Sequence, residues 1–278
     1  MTARLLVTSL CSLLLLGSVS EANDWVPLFP ENNFSGWTNQ REQPVDTPAW
    51  SISSGVVQLD RSKGRGGNIL TAREYGDFEL VFEWKVAPGA NNGIKYRVQD
   101  FNGRILGCEY QIIDDPAKPN LNERHRTACL YDIYETSPHE LLRPAGEFVR
   151  GETNSGDFNR GRIVVSNNTI EHWLNGHLMV RAFVGSPEWQ ARIGESKFSD
   201  VDGFGLNQSG RIMITDHGSK VWLRNMFIRE LRPAPAAFPV MQPCYPLAAP
   251  SAFFTQPGPI DQPQIFGRPA FMWFRRVR

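Results

Sequence analysis

The sequence predicts an all-β protein, an antiparallel sandwich or barrel built from about a dozen short strands. Between residues 23 and 232, short runs of alternating apolar and polar residues are broken by Gly, Pro, Asn and Asp. Only residues 186–193 have a helical pattern, and no strand–helix–strand alternation is present. A chain without long amphipathic helices must bury its apolar residues between sheets, which is why a single antiparallel sandwich is the expected fold.

The strand at residues 78–86 shows the clearest pattern. Its apolar residues recur at every second position, and charged residues occupy most of the positions between them. Because side chains on a strand alternate between its two faces, we expect a half-buried strand. The residues expected to point into the core are Phe78, Leu80, Phe82, Trp84 and Val86, and those expected on the other face are Glu79, Val81, Glu83 and Lys85.

Two hairpins are indicated by tight turn dipeptides. Ser54-Gly55 separates strands at residues 50–52 and 56–59, and Asn175-Gly176 separates residues 169–174 from 177–180. Further strands are expected at residues 162–165, 211–215, 220–223 and 226–229. The tryptophans Trp84, Trp173 and Trp222 fall at alternating apolar positions, so we interpret them as core residues rather than platforms for sugar rings.

The two ends of the chain are expected to lie outside this domain. Residues 1–22 resemble a signal peptide, with Arg4 before an apolar stretch too short to span a bilayer. We therefore predict an exported protein, periplasmic or secreted, with no transmembrane segment in the mature chain. Residues 233–278 contain ten prolines and one acidic residue, Asp261, which predicts a disordered or extended tail that contributes little to stability.

The charge balance argues against nucleic acid as a partner, and the cysteine spacing argues against a zinc site. The chain has 29 basic and 29 acidic residues, so it lacks the positive surplus typical of nucleic-acid-binding proteins. The mature chain would keep Cys108, Cys129 and Cys244, at spacings that fit no zinc site. In an oxidising compartment Cys108 and Cys129 either form a disulfide or remain buried free thiols, and the sequence favours neither.

One strand, at residues 107–113, carries polar side chains that an ordinary core strand would not. Glu109 and Gln111 share one of its faces, and Lys95 and Arg97 lie two residues apart on the preceding strand. The turn at residues 100–103 predicts a hairpin that brings the four side chains together. A buried charge is costly unless it is paired, so this face is expected to line a cleft; the alternative is a solvated edge hairpin with surface ion pairs.

Ten motifs, taken together in their order along the chain, carry a resemblance to a known family. They are Leu28-Phe29, Ser35-Gly36-Trp37, Tyr75-Gly76-Asp77-Phe78-Glu79-Leu80, Asn91-Asn92-Gly93-Ile94-Lys95-Tyr96-Arg97, Gly107-Cys108-Glu109-Tyr110-Gln111, Leu130-Tyr131-Asp132, Ile170-Glu171-His172-Trp173-Leu174-Asn175-Gly176, Ser196-Lys197-Phe198, Asp216-His217-Gly218 and Leu223-Arg224-Asn225. In these motifs the chain resembles the 3-keto-disaccharide hydrolase domain family over about residues 25–232. It departs from the family pattern at Asn92, where a serine is usual, at Thr215, where a glutamine is usual, and at Phe158, where a tryptophan is usual.

The resemblance implies a concanavalin A-like jelly roll that acts on glycosides oxidised at C3. A ketone at C3 acidifies the C2 proton, so the chemistry needs a base, an enolate-stabilising group and an acid for the leaving group. Glu109 is the candidate base and His217 the candidate acid or second base; Lys95 or Arg97 is expected to hold the enolate oxygen. Alternatively, Glu109 only balances Arg97 and His217 only shapes a turn.

The other polar residues of these motifs are expected to bind substrate. The full predicted substrate-binding set is Asn92, Lys95, Arg97, Gln111, Asp114, Tyr131, Asp216 and Arg224. No cofactor is predicted. The carboxylates Asp114 and Asp115, with Glu109 and His217, leave a divalent-metal site open, although both aspartates also fit a simple turn before Pro116. The loop at residues 117–127 is either a flap over the cleft or a passive surface loop.

Two other functions remain open at this stage. The same fold serves as a non-catalytic carbohydrate-binding module, which would need no base. A conventional glycosidase would need two carboxylates roughly 5–10 Å apart, and no second carboxylate is visible on the strand face of Glu109.

Overall fold

The computed structural model of the chain describes residues 25–136 and 158–231. The predicted signal peptide (residues 1–22), the Pro-rich tail (residues 233–278) and Cys244 lie outside the described residues. Within them, no helix has the length and apolar character needed to cross a bilayer.

The described residues form thirteen strands, one α-helix and four short 3₁₀ turns. The helix α1, Pro187–Gly194, lies where the sequence predicts it. The strands are β1 Val26–Pro27, β2 Trp37–Asn39, β3 Trp50–Ser53, β4 Val56–Leu59, β5 Ile69–Tyr75, β6 Phe78–Val86, β7 Asn91–Phe101, β8 Arg104–Ile113, β9 Asn159–Ser166, β10 Thr169–Leu174, β11 His177–Phe183, β12 Gly210–Ile214 and β13 Val221–Glu230.

The strands form two antiparallel sheets, which confirms the predicted all-β sandwich. The larger sheet has eight strands in the order β11-β10-β9-β6-β13-β4-β3, with β1 paired to β13. The smaller sheet has five strands in the order β2-β5-β12-β7-β8. The predicted hairpins β3–β4, β7–β8 and β10–β11 are all present.

The core lies between the two sheets and is dominated by aromatic residues. Phe78 and Phe82 of β6 are buried as predicted, and they meet Tyr96 of β7 and Tyr110 of β8 across the core. The ring centroids lie 6.0 Å apart for Phe78–Tyr96 and 5.2 Å apart for Phe82–Tyr110, both edge to face. This geometry suits the charge distribution of aromatic rings, so it fixes how the hairpin β7–β8 packs on the larger sheet.

Three features of the sheets differ from the sequence prediction. β13 is one strand rather than two. A bulge with Asn225 at φ 51° disturbs the alternation of its side chains, but the strand continues through the bulge. The sequence does not predict β1, β2 or β5: β1 and β2 are only two and three residues long, and an irregularity in the pairing of β5 with β12 disturbs its period-two pattern. Trp84 and Trp222 are buried, but Trp173 lies on the outer face of the larger sheet, partly exposed beside Arg162. The expectation for Trp173 was therefore wrong.

Cys108 and Cys129 are both buried free thiols. Burial raises the pKa of Cys108 to about 12, because the thiolate form would lose its hydration inside the core. Of the two alternatives left open by the sequence, the structure has the unbonded one.

His172 of β10 is a fully buried histidine whose protonation can be assigned from its partners. Its Nδ1 lies 3.1 Å from the carbonyl oxygen of Ala128, which can only accept, so Nδ1 carries the proton. Its Nε2 lies 2.9 Å from the hydroxyl of Tyr96 and accepts from it. Burial lowers the pKa of His172 to about 4, because a second proton would place an unsolvated charge in the core.

Because the pKa of the buried His172 is lowered, we expect acid to destabilise the fold. The unfolded chain takes up a proton at His172 near the ordinary pKa of 6.5, whereas the folded chain does so only near 4, so acid favours unfolding. We expect the contribution of His172 to the free energy of unfolding to be complete above pH 6.5 and to fall by about 3 kcal/mol by pH 4. Denaturant melts of wild type and His172→Gln across this range measure it. A variant with the same pH slope as wild type would contradict this prediction.

Candidate active site

The register of β7 and β8 places the predicted polar residues on the outer face of the five-stranded sheet. Lys95 lies directly opposite Glu109, and Gly93 lies opposite Gln111. The alternate residues Tyr96 and Tyr110 point into the core between the sheets. The alternation inferred from the sequence therefore assigns Glu109, Gln111 and Lys95 to the correct face.

Glu109 is a nearly buried carboxylate, with 4% of its side chain exposed. Its Oε2 lies 3.6 Å from Nζ of Lys95, and its Oε1 lies 3.9 Å from Nε2 of His217. The imidazole of His217 is itself 43% exposed, so it faces solvent on one side and Glu109 on the other. One carboxylate, one ammonium and one imidazole thus converge at the surface of this sheet.

Gly93 provides the space that the Glu109 carboxylate occupies. A Cβ added at Gly93 would lie 2.9 Å from Cδ of Glu109 and would collide with its Oε1. Gly93 does not have a positive φ, so its backbone conformation is open to any residue and the absence of a side chain is what matters. The glycine therefore fixes the position of the carboxylate over the strand.

We expect Gly93→Ala to fold but to lose most of its activity. The added methyl group displaces the carboxylate of Glu109, and a displacement of about 1 Å at a reacting group can cost about 10²-fold in rate. Steady-state kinetics and a thermal melt measure the two effects. Gly194→Ala is the control, because Gly194 also lacks a positive φ and its added Cβ meets nothing within 4 Å. An active Gly93→Ala enzyme would show that Glu109 is not the reacting group.

A second group of side chains reaches the same site from outside the hairpin. Tyr131 follows β8 in the chain after a loop, and its backbone N–H donates to the carbonyl oxygen of Glu109 at 3.0 Å. The Nζ of Lys197 lies 4.1 Å from the centroid of the Tyr131 ring, and the imidazole of His125 stacks on that ring at 4.7 Å. These residues form an aromatic and cationic wall beside Glu109.

Asp132 holds this wall in place. Its Oδ1 lies 2.8 Å from Nε2 of His125, and its Oδ2 accepts from the backbone N–H of Lys197 at 2.7 Å. Burial alone would raise the pKa of Asp132, but the hydrogen bonds from Lys197 and His125 outweigh it and lower the pKa. Asp132 therefore stays ionised and ties the loop of His125 to the segment of Lys197.

The pKa values of Lys197 and Tyr131 are shifted by burial and by nearby charges, including that of Glu109. Burial lowers the pKa of Lys197; the carboxylate of Glu109 opposes this shift and the ammonium of Lys95 adds to it. Burial also raises the pKa of Tyr131, and the negative charge of Glu109 raises it further. Lys197 and Lys95 thus both lie within electrostatic range of Glu109, where two cations can stabilise an anion that forms on a bound substrate.

Two of the predicted substrate-binding residues lie elsewhere. A bulge in β7, with Arg97 at φ 50°, turns Arg97 away from the outer face. Its side chain is 1% exposed and its Nη2 lies 3.2 Å from Asp77, so the expected pairing with Glu109 was wrong. Asn92 points into the core and donates to the carbonyl oxygen of Thr215. Both side chains support the fold rather than the site.

Two predicted acidic residues bind backbone groups instead of facing the cleft. Asp114 accepts from the N–H of Gly89 at 2.7 Å. The side chain of Asp216 is 1% exposed; it pairs with Arg61 and accepts from the N–H groups of Gly67 and Gly218. Burial alone would raise the pKa of Asp216, but these hydrogen bonds lower it. Asp216 therefore shapes the turn that presents His217.

Arg224 lies on the other sheet, so its predicted role in this site was also wrong. It belongs to β13, its Nε donates to Oε2 of Glu83 at 2.7 Å, and its guanidinium lies 3.9 Å from the Phe158 ring centroid. Gln111 does lie on the correct face, and its Nε2 donates to Oδ1 of Asn91 at 3.2 Å.

Within residues 25–136 and 158–231, no group of three or more His, Cys, Asp or Glu side chains is arranged to hold a metal ion. Of the residues considered for a metal, Asp115 accepts from the N–H of Thr127 and Asp114 from that of Gly89. The carboxylates of both aspartates thus accept hydrogen bonds from backbone N–H groups of other segments.

Sequence reasoning missed three residues of this site: His125, Asp132 and Lys197. Lys197 and Asp132 lie within quoted family motifs, and His125 lies in the loop considered as a flap. Lys197 follows α1 in the chain, far in sequence from Glu109, and no periodic pattern links it to the hairpin. Only the packing of the loops on the sheet brings these side chains together.

Comparison with known proteins identifies a family and several similar proteins. The sequence profile of the 3-keto-alpha-glucoside-1,2-lyase-like domain matches residues 24–229. The 3-keto-disaccharide hydrolase of Bacteroides thetaiotaomicron VPI-5482 is 27% identical over 243 residues, covering 76% of this chain and 80% of that protein.

Two solved structures from Parabacteroides distasonis ATCC 8503, both provisionally described as glycosyl hydrolases, have the same fold. One has a TM-score of 0.63 at 27% identity and covers 75% of this chain and 94% of its own. The other has a TM-score of 0.56 at 24% identity and covers 75% of this chain and 100% of its own. Since the family profile covers most of the sequence, the chain belongs to the 3-keto-alpha-glucoside-1,2-lyase-like domain family, as its motifs indicated.

Proposed function

We propose that this protein cleaves 3-keto-glycosides, with Glu109 as the base that removes the C2 proton. The observation that carries the proposal is the nearly buried Glu109 carboxylate, which lies on the outer face of the five-stranded sheet within 4 Å of both Lys95 and His217. The family description and the name of the Bacteroides relative, a 3-keto-disaccharide hydrolase, supply the substrate class.

The first step is a proton transfer. Glu109 takes the proton from C2, and the electron pair of the C2–H bond moves towards C3, so that negative charge develops on the C3 oxygen. Lys95 and Lys197 are the cations available to stabilise this enolate, because both lie close to Glu109. Stabilising the charge that develops in the transition state is usually the largest single contribution to the rate.

The second step is elimination. The enolate electrons re-form the C3 carbonyl, a C1–C2 double bond forms, and the bond from C1 to the leaving oxygen breaks. His217 donates a proton to that oxygen as it leaves; its partly exposed imidazole suits exchange with solvent. This step yields an alcohol and an unsaturated keto sugar, which is the product of a lyase.

Adding water completes a net hydrolysis. Water attacks C1 of the unsaturated keto sugar and gives a proton to His217, which replaces the proton that His217 gave to the leaving oxygen. Glu109, whose proton exchanges with solvent once the alcohol has left, protonates C2, so that the carboxylate is regenerated. The family description names a lyase and the relative's name a hydrolase, and this order of steps accommodates both. The reaction as written needs no cofactor.

The test is a comparison of an oxidised substrate with its parent in deuterated water. We expect cleavage of a 3-keto-glucoside and none of the unoxidised glucoside, with deuterium at C2 of the 3-keto-glucose above the level of exchange without enzyme. Cleavage of the parent, or product without deuterium at C2, would refute the mechanism. A protein that binds the sugar and cleaves neither compound would be a carbohydrate-binding module.

We also propose that the protein acts outside the cytoplasm. The proposal rests on the pattern of residues 1–22, namely Arg4 followed by an apolar stretch and small residues before Asn23. Detecting a mature chain that begins at Asn23 in a periplasmic or culture fraction would support it. A chain that keeps its first residues in the cytoplasm would contradict it.

A further inference from the structure

A cavity, here named the distal cavity, lies on the same outer face of the five-stranded sheet as Glu109. Its volume is about 570 Å³. Its wall is formed by β5, β7, β8 and β12 and by the segment after β2. The side chains that matter for the argument are Leu70, Glu74, Val98, Ile105 and Arg211.

The pairing of the strands connects this cavity to the candidate active site. Leu70, Met213, Lys95 and Glu109 are consecutive partners across β5, β12, β7 and β8, so they form one row on the sheet. With strands about 4.8 Å apart, Leu70 lies about 14 Å from Glu109 along this row. Val98 and Arg211 form the next row. One linked pair of sugar rings can therefore reach from Glu109 into the distal cavity.

A cluster of apolar side chains lies beneath the floor of the cavity, although this face of the sheet is turned away from the core. Leu70, Val98 and Met213 form a cluster of their own, separate from the main core, and Ile105 packs against it. Ligand sites combine such apolar floors with a few placed polar groups. Leu70, Val98 and Met213 are at most 2% exposed, so the apolar surface that a pyranose ring can contact is chiefly that of the partly exposed Ile105, and the hydroxyls of the ring would face the polar rim.

The rim carries polar groups that are already fixed in position. Nε of Arg211 donates to the carbonyl oxygen of Thr71 at 2.5 Å, its Nη2 donates to Thr38, and its Nη1 lies 3.5 Å from Glu42. Glu74 accepts from the hydroxyl of Ser209 at 2.7 Å. Groups that are held before binding lose little entropy when the ligand arrives.

The distal cavity and its position lead us to propose that it is the subsite for the second, unoxidised hexose ring of a 3-keto-disaccharide. The proposal rests on the proposed function, because it takes the 3-keto ring to bind at Glu109. The rim carries both cations and carboxylates, which suits a neutral hydroxylated ring better than a charged one; they are Arg41, Glu42, Glu74, Asp100 and Arg211.

The test compares a 3-keto-disaccharide with methyl 3-keto-glucoside, which has no second ring. Ile105→Trp fills the cavity from its partly exposed side, and Glu74→Ala removes an exposed rim carboxylate. Val81→Trp is the matched control, because Val81 is also partly buried and lines a cavity of about 560 Å³ on the outer face of the other sheet. Thermal melts verify that each variant is folded.

The quantity compared is kcat/KM for the disaccharide divided by kcat/KM for the methyl glycoside. We expect this ratio to fall at least tenfold in Ile105→Trp and to fall less in Glu74→Ala. In Val81→Trp it should stay at the wild-type value. An unchanged ratio in both cavity variants overturns the subsite while the proposed function stands. If the wild-type protein cleaves neither compound, the proposed function fails. Calorimetry with maltose then tests the subsite by itself. The subsite is overturned if Ile105→Trp binds maltose as the wild-type protein does.

Discussion

Replacing Glu109 with glutamine is expected to lower turnover of a 3-keto-glycoside by at least about 10²-fold, the contribution of a positioned general base. Glutamine keeps the size of the side chain and most of its hydrogen bonding, but it cannot accept the C2 proton. Gly93 still leaves room for the side chain, and Lys95 and His217 remain beside it. The variant should therefore fold and bind sugar while losing its chemistry.

The measurement combines initial rates, a thermal melt and calorimetry with an uncleaved sugar. Glu83→Gln is the matched control, because Glu83 also lies on an outward strand face and pairs with Arg160 and Arg224, but on the other sheet. Full activity in Glu109→Gln would make Glu109 a structural partner of Lys95 and would leave His217 as the candidate base. Loss of folding would instead show that Glu109 holds an ion pair, whose disruption typically costs about 3–5 kcal/mol.

Most of this sheet face was predictable because it follows from alternation alone. The two-residue period assigns Glu109 and Gln111 to one face, and a short turn fixes the hairpin that brings Lys95 opposite Glu109. The same rule correctly assigns the five core aromatic and aliphatic residues of β6. Local periodicity is reliable wherever a strand is regular and one of its faces is buried.

The errors occur where a strand is irregular or where the contacts are distant in sequence. The bulge at Arg97 adds one residue to β7, which reverses the face of every position counted across it. Asn92 obeys the alternation and points inwards, and only the family motif had suggested a role in binding. Lys197, Tyr131 and Asp132 meet through loop packing, for which the sequence contains no periodic signal.

The loops also explain why the sequence indicates a role for His217 but not for Lys197. Asp216-His217-Gly218 is a recognisable turn, and the hydrogen bond from Gly218 to Asp216 shows why those residues flank the histidine. Lys197 lies in a segment without such a signature, and its place beside Glu109 depends on the bond between its backbone N–H and Asp132. Residues held by long-range backbone contacts need the structure to be identified.

Lys197 is the residue whose replacement should have the second largest effect on activity. Lys197→Met keeps the side-chain stem that packs on Tyr131 and the backbone bond to Asp132, but it removes the cation. Loss of one group that stabilises an oxyanion costs about 10²–10³-fold in kcat, and we expect a loss in this range. Lys197→Arg keeps the charge and should recover part of the activity.

The pH profile separates this role from a merely structural one. The protonated amine is the form that stabilises an enolate, and burial lowers the pKa of Lys197 below its ordinary value of 10.5. Activity should therefore fall on the alkaline side as pH rises through this lowered pKa, and it should be retained below it. An arginine stays protonated throughout that range, so in Lys197→Arg the alkaline limb should move to higher pH. If the limb stays where wild type has it, another group titrates there and Lys197 does not hold the enolate.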